Sequence, residues 1–143
     1  MKSARRRARE FAVQGLYQWQ IAGHAAPDIV AQLSEATGFD KIDRELFQRL
    51  LAGVIERAPE LESTLAPALD RKFAELSPIE RGVLLLGAYE LAYEPATPYK
   101  VVINEAVDLA KTYGATDGHK YVNGVLDKLA LELRAAETGR RGA

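Results

Sequence analysis

The chain has 143 residues, a formal net charge of −1 and no cysteine. This length suffices for one domain or two closely packed subdomains, which would bury roughly two thirds of the unfolded surface. The lack of cysteine excludes disulfides and thiolate metal ligands and is compatible with a reducing cytosol. The longest apolar run, residues 83–86, is far shorter than the roughly 20 residues of a membrane helix. A cytoplasmic protein without a membrane span is therefore expected.

The near-neutral net charge conceals an uneven distribution. Residues 2–9 contain five basic side chains and no acidic one, and Arg140 and Arg141 follow near the end. The other 12 basic residues are outnumbered by 20 acidic ones, a balance of −8. A basic tip on an acidic body indicates one local anionic partner rather than a surface coated with nucleic acid. A signal peptide is disfavoured because Glu10 and Gln14 interrupt the apolar stretch that it would need.

Apolar residues recur at helical spacing along nearly the whole chain, and no alternating strand pattern is flanked by turn residues. The sequence therefore predicts an all-α fold with about seven helices. Ser3 is the expected cap of a first helix that ends near Ala22, before Gly23. A second helix is expected after Pro27 and a third from about Asp40.

The clearest helix start lies in LSPIERGVLLLGAYELAY. Ser77 is the expected N-cap, Pro78 occupies the first helical position, and Glu80 stands where it can close a capping box. After the proline-marked linker EPATPYK, a further helix is expected to begin near Thr97 and end at Gly114. This half of the chain is predicted with the sharpest boundaries.

Two prolines interrupt the helical pattern between these regions. Pro59 and Pro67 predict a broken or kinked segment, because a proline removes a helical hydrogen bond. The sequence therefore indicates two small packed helical subdomains, residues 1–73 with the arginine-rich first helix and residues 74–143.

A search for catalytic or metal-binding patterns finds none. His24 and His119 lie far apart, and neither has a second ligand at helical spacing. GATDGHK lacks the spacing of a phosphate-binding loop, and no carboxylate pair can be assigned to an apolar pocket. We therefore expect a protein that is not an enzyme and needs no cofactor or metal.

The first helix combines charge with an aromatic ring. At 100° per residue, Arg6, Val13, Tyr17 and Ile21 fall on one face. The opposite, predicted buried face comprises Ala8, Phe11, Ala12, Gly15, Leu16 and Trp19. Tyr17 either packs on a neighbouring helix or stacks on a base while arginines bind phosphates, the combination that single-stranded nucleic acid requires. The helical pattern alone leaves both interpretations open.

Three blocks of sequence resemble the NusB family of bacterial transcription antitermination factors. They are RRRAREFAVQGLYQWQ, LSPIERGVLLLGAYEL and TPYKVVINEAVDLAKTYGATDGHKYVNGVLDKLA, in family order. The resemblance implies an all-helical protein of two bundles that binds single-stranded boxA RNA of ribosomal RNA leader transcripts together with NusE, a small-subunit ribosomal protein. It implies indirect partnership with other elongation factors and RNA polymerase, and no catalysis.

Matched positions in these blocks imply a set of RNA-contacting residues: Arg5, Arg6, Arg7, Arg9, Tyr17, Glu80, Asp117, Lys120 and Tyr121. Basic side chains would contact phosphates, the tyrosines would offer stacking faces, and the carboxylates would accept hydrogen bonds from base edges. Glu80 and Asp117 have equally good structural roles, as capping-box member and helix cap respectively.

The chain also departs from the family pattern. Leu85 stands where family members often have arginine, which predicts the loss of one cationic contact or ion pair. Tyr121 stands where phenylalanine is common, so the stacking face is kept. The family includes monomers and dimers, and in a homodimer Val13 or Ile21 would be covered beside the arginines. Two alternatives remain: a protein-binding helical adaptor, and a regulatory module of an enzyme that modifies ribosomal RNA.

Overall fold

The structure is a computed structural model that describes residues 2–139, so Arg140 and Arg141 lie outside the described residues. Every regular element in this range is helical, which confirms the all-α prediction. Six α-helices stand against about seven predicted: α1 (Ala4–Ala22), α2 (Ala26–Leu33), α3 (Arg44–Leu65), α4 (Pro78–Tyr93), α5 (Tyr99–Tyr113) and α6 (Gly118–Leu133). Short 3-10 turns occupy Phe39–Lys41, Ala66–Ala68 and Phe73–Glu75.

The helix boundaries that rest on capping signals are confirmed. The Ser3 hydroxyl accepts a hydrogen bond from the Arg6 N–H at 3.0 Å, and Gly23 ends α1 in the left-handed conformation. The Ser77 hydroxyl accepts from the Glu80 N–H at 3.2 Å, while the Glu80 carboxylate accepts from the Ser77 N–H at 3.3 Å. These reciprocal bonds satisfy backbone donors that the helix itself leaves unpaired.

The prediction for α3 was wrong at two points. The helix begins at Arg44 rather than near Asp40, because a 3-10 turn intervenes and the Asp43 carboxylate then accepts the Leu46 N–H at 3.1 Å. It also continues through Pro59 to Leu65 instead of breaking there. One lost hydrogen bond is tolerated where neighbouring apolar side chains are buried, and the chain leaves the α-helix only before Pro67.

Within residues 2–139 the chain forms two compact units, which divide between Arg57 and Ala58, inside α3. The subdomain boundary that the sequence predicts, after residue 73, lies further along the chain than this division. It stays a prediction.

In the first unit, α1 packs closely on its neighbours. A Cβ atom on Gly15 would stand 2.9 Å from Leu51 Cδ1 and 3.0 Å from Ile29 Cγ2, so only glycine fits without rearrangement. Next to it, three phenylalanine rings pack edge to face with centroids 5.3 to 6.5 Å apart; they are Phe11, Phe39 and Phe47. This face of α1 is the one that the helical pattern predicts as buried.

In the second unit, α4 packs against both α5 and α6 and is buried from Gly82 to Leu91. A Cβ on Gly87 would lie 2.7 Å from Leu126 Cδ1, which fixes the close approach of α4 and α6. Leu85 is a core residue, 2% exposed. The leucine that replaces the family's arginine therefore packs in the apolar core, and its presence leaves no gap on a surface.

A buried arginine fastens the end of α6 to the linker between α4 and α5. The Arg134 guanidinium donates to the Glu137 carboxylate at 2.6 Å and to four backbone carbonyls, those of Glu90, Leu91, Glu94 and Thr97. Tyr99 N–H donates to the other Glu137 oxygen, and this bond is the main cause of a lowered pKa of Glu137. Among residues 2–139, no helix is long and apolar enough to cross a membrane.

Candidate nucleic-acid interface

The N-terminal end of α1 presents three arginines in the first unit. Arg5 is exposed, with Nη1 3.7 Å from Asp43 Oδ2, whereas Arg6 and Arg7 are half-buried. Lys2 Nζ pairs with Glu10 Oε2 at 2.6 Å. Ser3 caps the helix here, so the three arginines lie in its first turn, and residues 2–9 include no acidic side chain.

Arg9 lies in a different environment from the other three arginines. It is only 3% exposed. A guanidinium in this position does not reach a phosphate outside the chain, so the structure does not favour Arg9 as a direct RNA contact. Its spacing of three and four residues from Arg6 and Arg5 would place it on their side of the helix, so neither its spacing nor its charge reveals its burial.

Tyr17 lies on the exposed side of α1, three helical turns beyond the arginines. Its side chain is 43% exposed, which favours the stacking interpretation over packing on a neighbouring helix. Of the two apolar residues expected in a homodimer contact, Val13 is 1% exposed within its own chain, whereas Ile21 is 58% exposed. Only Ile21 is therefore available for such a contact. We call Arg5, Arg6, Arg7 and Tyr17 the arginine–tyrosine face.

In the second unit, Glu80 connects the starts of α4 and α6. Besides closing the capping box with Ser77, its carboxylate lies against Gly118, where an added Cβ would stand 3.1 Å from Glu80 Oε2. Gly118 thus permits the close approach of the carboxylate. The half-buried position and these bonds show that Glu80 has the structural role expected of it, and they place it beside the other predicted residues of α6.

Asp117 occupies the N-cap position of α6 but does not act as a side-chain cap. Its φ of 67° is left-handed, and its carboxylate makes no capping hydrogen bond. Instead, Asp117 Oδ1 lies 3.4 Å from Lys120 Nζ, with both side chains about two thirds or more exposed. The cap expected from the sequence is therefore wrong in its side-chain part, since the left-handed backbone turns the carboxylate toward the lysine.

Tyr121 belongs to a group that sequence reasoning missed. The Arg71 guanidinium carbon lies 4.5 Å from the Tyr121 ring centroid, and Asp70 N–H donates to the Tyr121 hydroxyl at 3.4 Å. Arg71 also binds both Asp70 carboxylate oxygens, at 2.8 and 3.3 Å. The Arg71 hydrogen bond is the main cause of a lowered pKa of Asp70, and burial raises the pKa of Tyr121.

This arrangement assigns one face of the Tyr121 ring to Arg71, so a base could use only the remaining exposed part. The signal for Arg71 in the sequence was weak, a basic pair ahead of the capping box. We call these residues of the second unit the α6 cluster: Asp70, Arg71, Glu80, Asp117, Lys120 and Tyr121. Within residues 2–139, no group of three or more acidic or histidine side chains could hold a metal ion.

The helical fold and its two polar, partly cationic surfaces, each with a tyrosine ring, define a binding protein. The chain belongs to the NusB family, whose model matches residues 6–131. It is 63% identical to transcription antitermination protein NusB of Nitrosospira multiformis over 133 residues, covering 93% of this chain and 84% of that protein. It is 57% identical to the protein of the same name from Burkholderia mallei strain SAVP1, over 99% of both chains. Family membership confirms that the protein is not an enzyme.

Solved structures show the same fold. A Thermotoga maritima NusB structure superposes with a TM-score of 0.81 at 30% identity, covering 92% of this chain and 94% of that one. A crystal structure of antitermination factors NusB and NusE in complex with double-stranded RNA matches with a TM-score of 0.79 at 27% identity, covering 90% and 97%. The predicted fold class is thereby confirmed.

Proposed function

We propose that this chain is an RNA-binding transcription antitermination factor that binds boxA-type leader RNA of ribosomal RNA operons together with NusE. The observation that carries the proposal is the exposed Tyr17 ring on the same helix as the arginines of the first turn. Close relatives named as antitermination proteins and a related NusB bound to NusE and RNA support it. Such a factor acts in the cytoplasm, with RNA polymerase and other elongation factors as indirect partners.

The arginine–tyrosine face supplies two separable contributions to RNA affinity. Arginines neutralise phosphates and release counterions, a contribution that falls as salt concentration rises. A Tyr17 ring that stacks on an unpaired base contributes free energy that salt hardly changes. Together they suit a single strand, whose bases are accessible and whose backbone is charged.

The α6 cluster is proposed to contact a second part of the same RNA. Lys120 offers an exposed cation, and the uncovered part of the Tyr121 ring offers a stacking surface. The carboxylates of the α6 cluster are already hydrogen-bonded or ion-paired. Direct recognition of base edges by Glu80 would therefore compete with its bonds in the capping box. We therefore assign Glu80 mainly to positioning the start of α6.

A titration of labelled boxA-type RNA, with and without NusE, tests the proposal. We expect saturable binding that becomes tighter when NusE is present, because each surface alone offers few contacts. A scrambled RNA of the same length is the control. Affinity that NusE leaves unchanged would contradict joint assembly. Lack of saturable RNA binding under both conditions would favour the alternative of a protein-binding adaptor.

A further inference from the structure

A glycine in the middle of α6 is not required by packing against any residue that the structure describes. Gly124 is exposed, and an added Cβ would meet no atom within 4 Å. Its φ is not in the left-handed region. Gly87 and Gly118, by contrast, each face a side chain at close distance. Since glycine is a poorer helix former than alanine, the bare backbone at Gly124 weakens α6 without any packing gain in the chain itself.

Gly124 lies midway between two lysines on one face of the helix. Lys120, Gly124 and Lys128 are spaced four residues apart, so they follow one another along α6 over about 12 Å. All three line a groove of about 190 Å³, together with Ala68, Asp70, Tyr121 and Val125. The groove thus begins at the α6 cluster and continues past it.

The charges along this groove favour an anion. Asp70 is the acidic residue among its lining side chains, and both of its carboxylate oxygens are bound by Arg71. Lys120 is paired with Asp117 on an exposed surface, a weak interaction that a phosphate can replace. Lys128 forms no ion pair within the described part of the chain. One turn further on, Glu132 ends the run of positive charge.

We propose that the groove carries the sugar–phosphate backbone of the bound RNA beyond the α6 cluster, with one phosphate at Lys128 and the strand passing over Gly124. The absent side chain at Gly124 lets the strand lie against the helix between the two cations. The strand stops at Glu132, which would repel a further phosphate. This inference rests on the proposed RNA-binding function and extends the site by one phosphate contact.

The test uses the full chain and a nested series of boxA-type RNAs, trimmed one nucleotide at a time from either end. Binding is measured for the unmodified chain and for Lys128→Ala and Gly124→Leu. Lys100→Ala, which removes an exposed lysine at the start of α5, is the matched control. Leucine favours helix more than glycine, so Gly124→Leu is expected to raise the melting temperature, and a binding loss would not come from unfolding.

For the longest RNA, Lys128→Ala should lower the log–log salt slope by about 0.7, the value for one phosphate on a single strand. When the salt concentration rises fourfold, the factor by which RNA affinity falls should be about 2.6 times smaller for the variant than for the unmodified chain. Gly124→Leu should weaken binding roughly tenfold, equivalent to one hydrogen bond to a charged group. Both effects should vanish once trimming from one end removes the nucleotide at Lys128, and Lys100→Ala should bind normally.

Three outcomes would overturn the inference. The first is that the unmodified chain binds RNA and both variants bind every RNA length equally well. This result would leave the proposed function intact. The second is that the variants weaken binding of NusE alone and not of RNA, which makes the groove a protein site. The third is that the unmodified chain binds no single-stranded RNA of any length, in which case the proposed function fails as well.

Discussion

The two candidate surfaces differ in how much the fold depends on them. On the arginine–tyrosine face, Tyr17 is 43% exposed, and Arg7 makes no side-chain ion pair within residues 2–139. In the α6 cluster, Glu80 closes a capping box and Tyr121 binds the Asp70 backbone beneath Arg71. Loss of RNA binding after mutation would therefore have a different meaning on each surface, because mutations in the α6 cluster also remove contacts that hold the fold.

The largest combined effect is expected for Tyr121→Ala. Removal of the ring deprives Arg71 of its stacking partner and Asp70 N–H of its acceptor, so we expect a loss of about 1–2 kcal/mol in the free energy of unfolding. RNA binding should weaken by about 1–3 kcal/mol in addition, from lost base stacking. Urea unfolding and RNA titration of the same preparation measure the two effects. Tyr121→Phe, which keeps the ring, should remain within about 0.5 kcal/mol in stability.

Tyr17→Ala should weaken RNA binding by a similar amount, about 1–3 kcal/mol, but leave stability unchanged within about 0.5 kcal/mol. Its salt slope should equal that of the unmodified chain, because no phosphate contact is removed. Tyr17→Phe should bind normally. A Tyr17→Ala variant that unfolds at lower urea concentration would erase the contrast between the two surfaces, and one that binds RNA normally would leave Tyr17 without a role in binding.

How far these surfaces could be predicted depends on whether the signal is local in the chain. Ser3, Gly23 and the Ser77 to Glu80 box act on neighbouring residues, so their positions followed from the sequence. The contact of Asp70 with Tyr121 joins residues 51 positions apart, and no local pattern predicts it.

The helical pattern of α1 predicted the position of its buried face correctly but made that face too narrow. Val13 falls near Arg6 on the wheel, yet it is buried, and Arg9 is buried despite its charge. The buried side of α1 therefore covers more of the helix than its apolar residues indicate, because an arginine stem can pack against apolar neighbours. Asp117 shows a second limit: the cap position was predicted, but the left-handed φ that redirects its side chain was not.

A comparison of Asp117→Gly with Asp117→Ala would separate the effect of backbone strain at this position from the effect of the lost charge. A left-handed φ costs an ordinary residue about 1 kcal/mol, whereas glycine adopts it without strain. We therefore expect Asp117→Ala to be about 1 kcal/mol less stable than Asp117→Gly, while both variants lose the ion pair with Lys120. Thermal unfolding of the two variants provides the measurement. Equal stabilities would mean that the strained turn does not contribute to holding the cluster.

Arg7→Ala should have a small effect that is confined to binding. The log–log salt slope should fall by about 0.7, as for one phosphate contact on a single strand, and unfolding should be unchanged. Lys41→Ala, an exposed cation elsewhere in the first unit, is the control. If the two variants show the same slope, the positive charge of α1 acts only through the general field of the chain, and the face has no phosphate site at Arg7.

The smallest effect concerns the acid sensitivity of the α6 cluster. The hydrogen bond between Asp70 and Arg71 lowers the pKa of the Asp70 carboxyl below its ordinary value of 3.8 in the folded chain. The ionised carboxylate therefore adds stability above pH 3.8, and this contribution is lost as the pH falls through the folded-state pKa. Because Asp70→Asn lacks the charge at every pH, the melting temperatures of the two proteins should differ at pH 6 and converge as the pH falls below 3.8 and through the lowered pKa of Asp70. A difference that stays constant over this range would show that Asp70 does not couple its charge to folding. Tyr17→Ala, which removes no titrating carboxylate, should follow the unmodified chain at each pH.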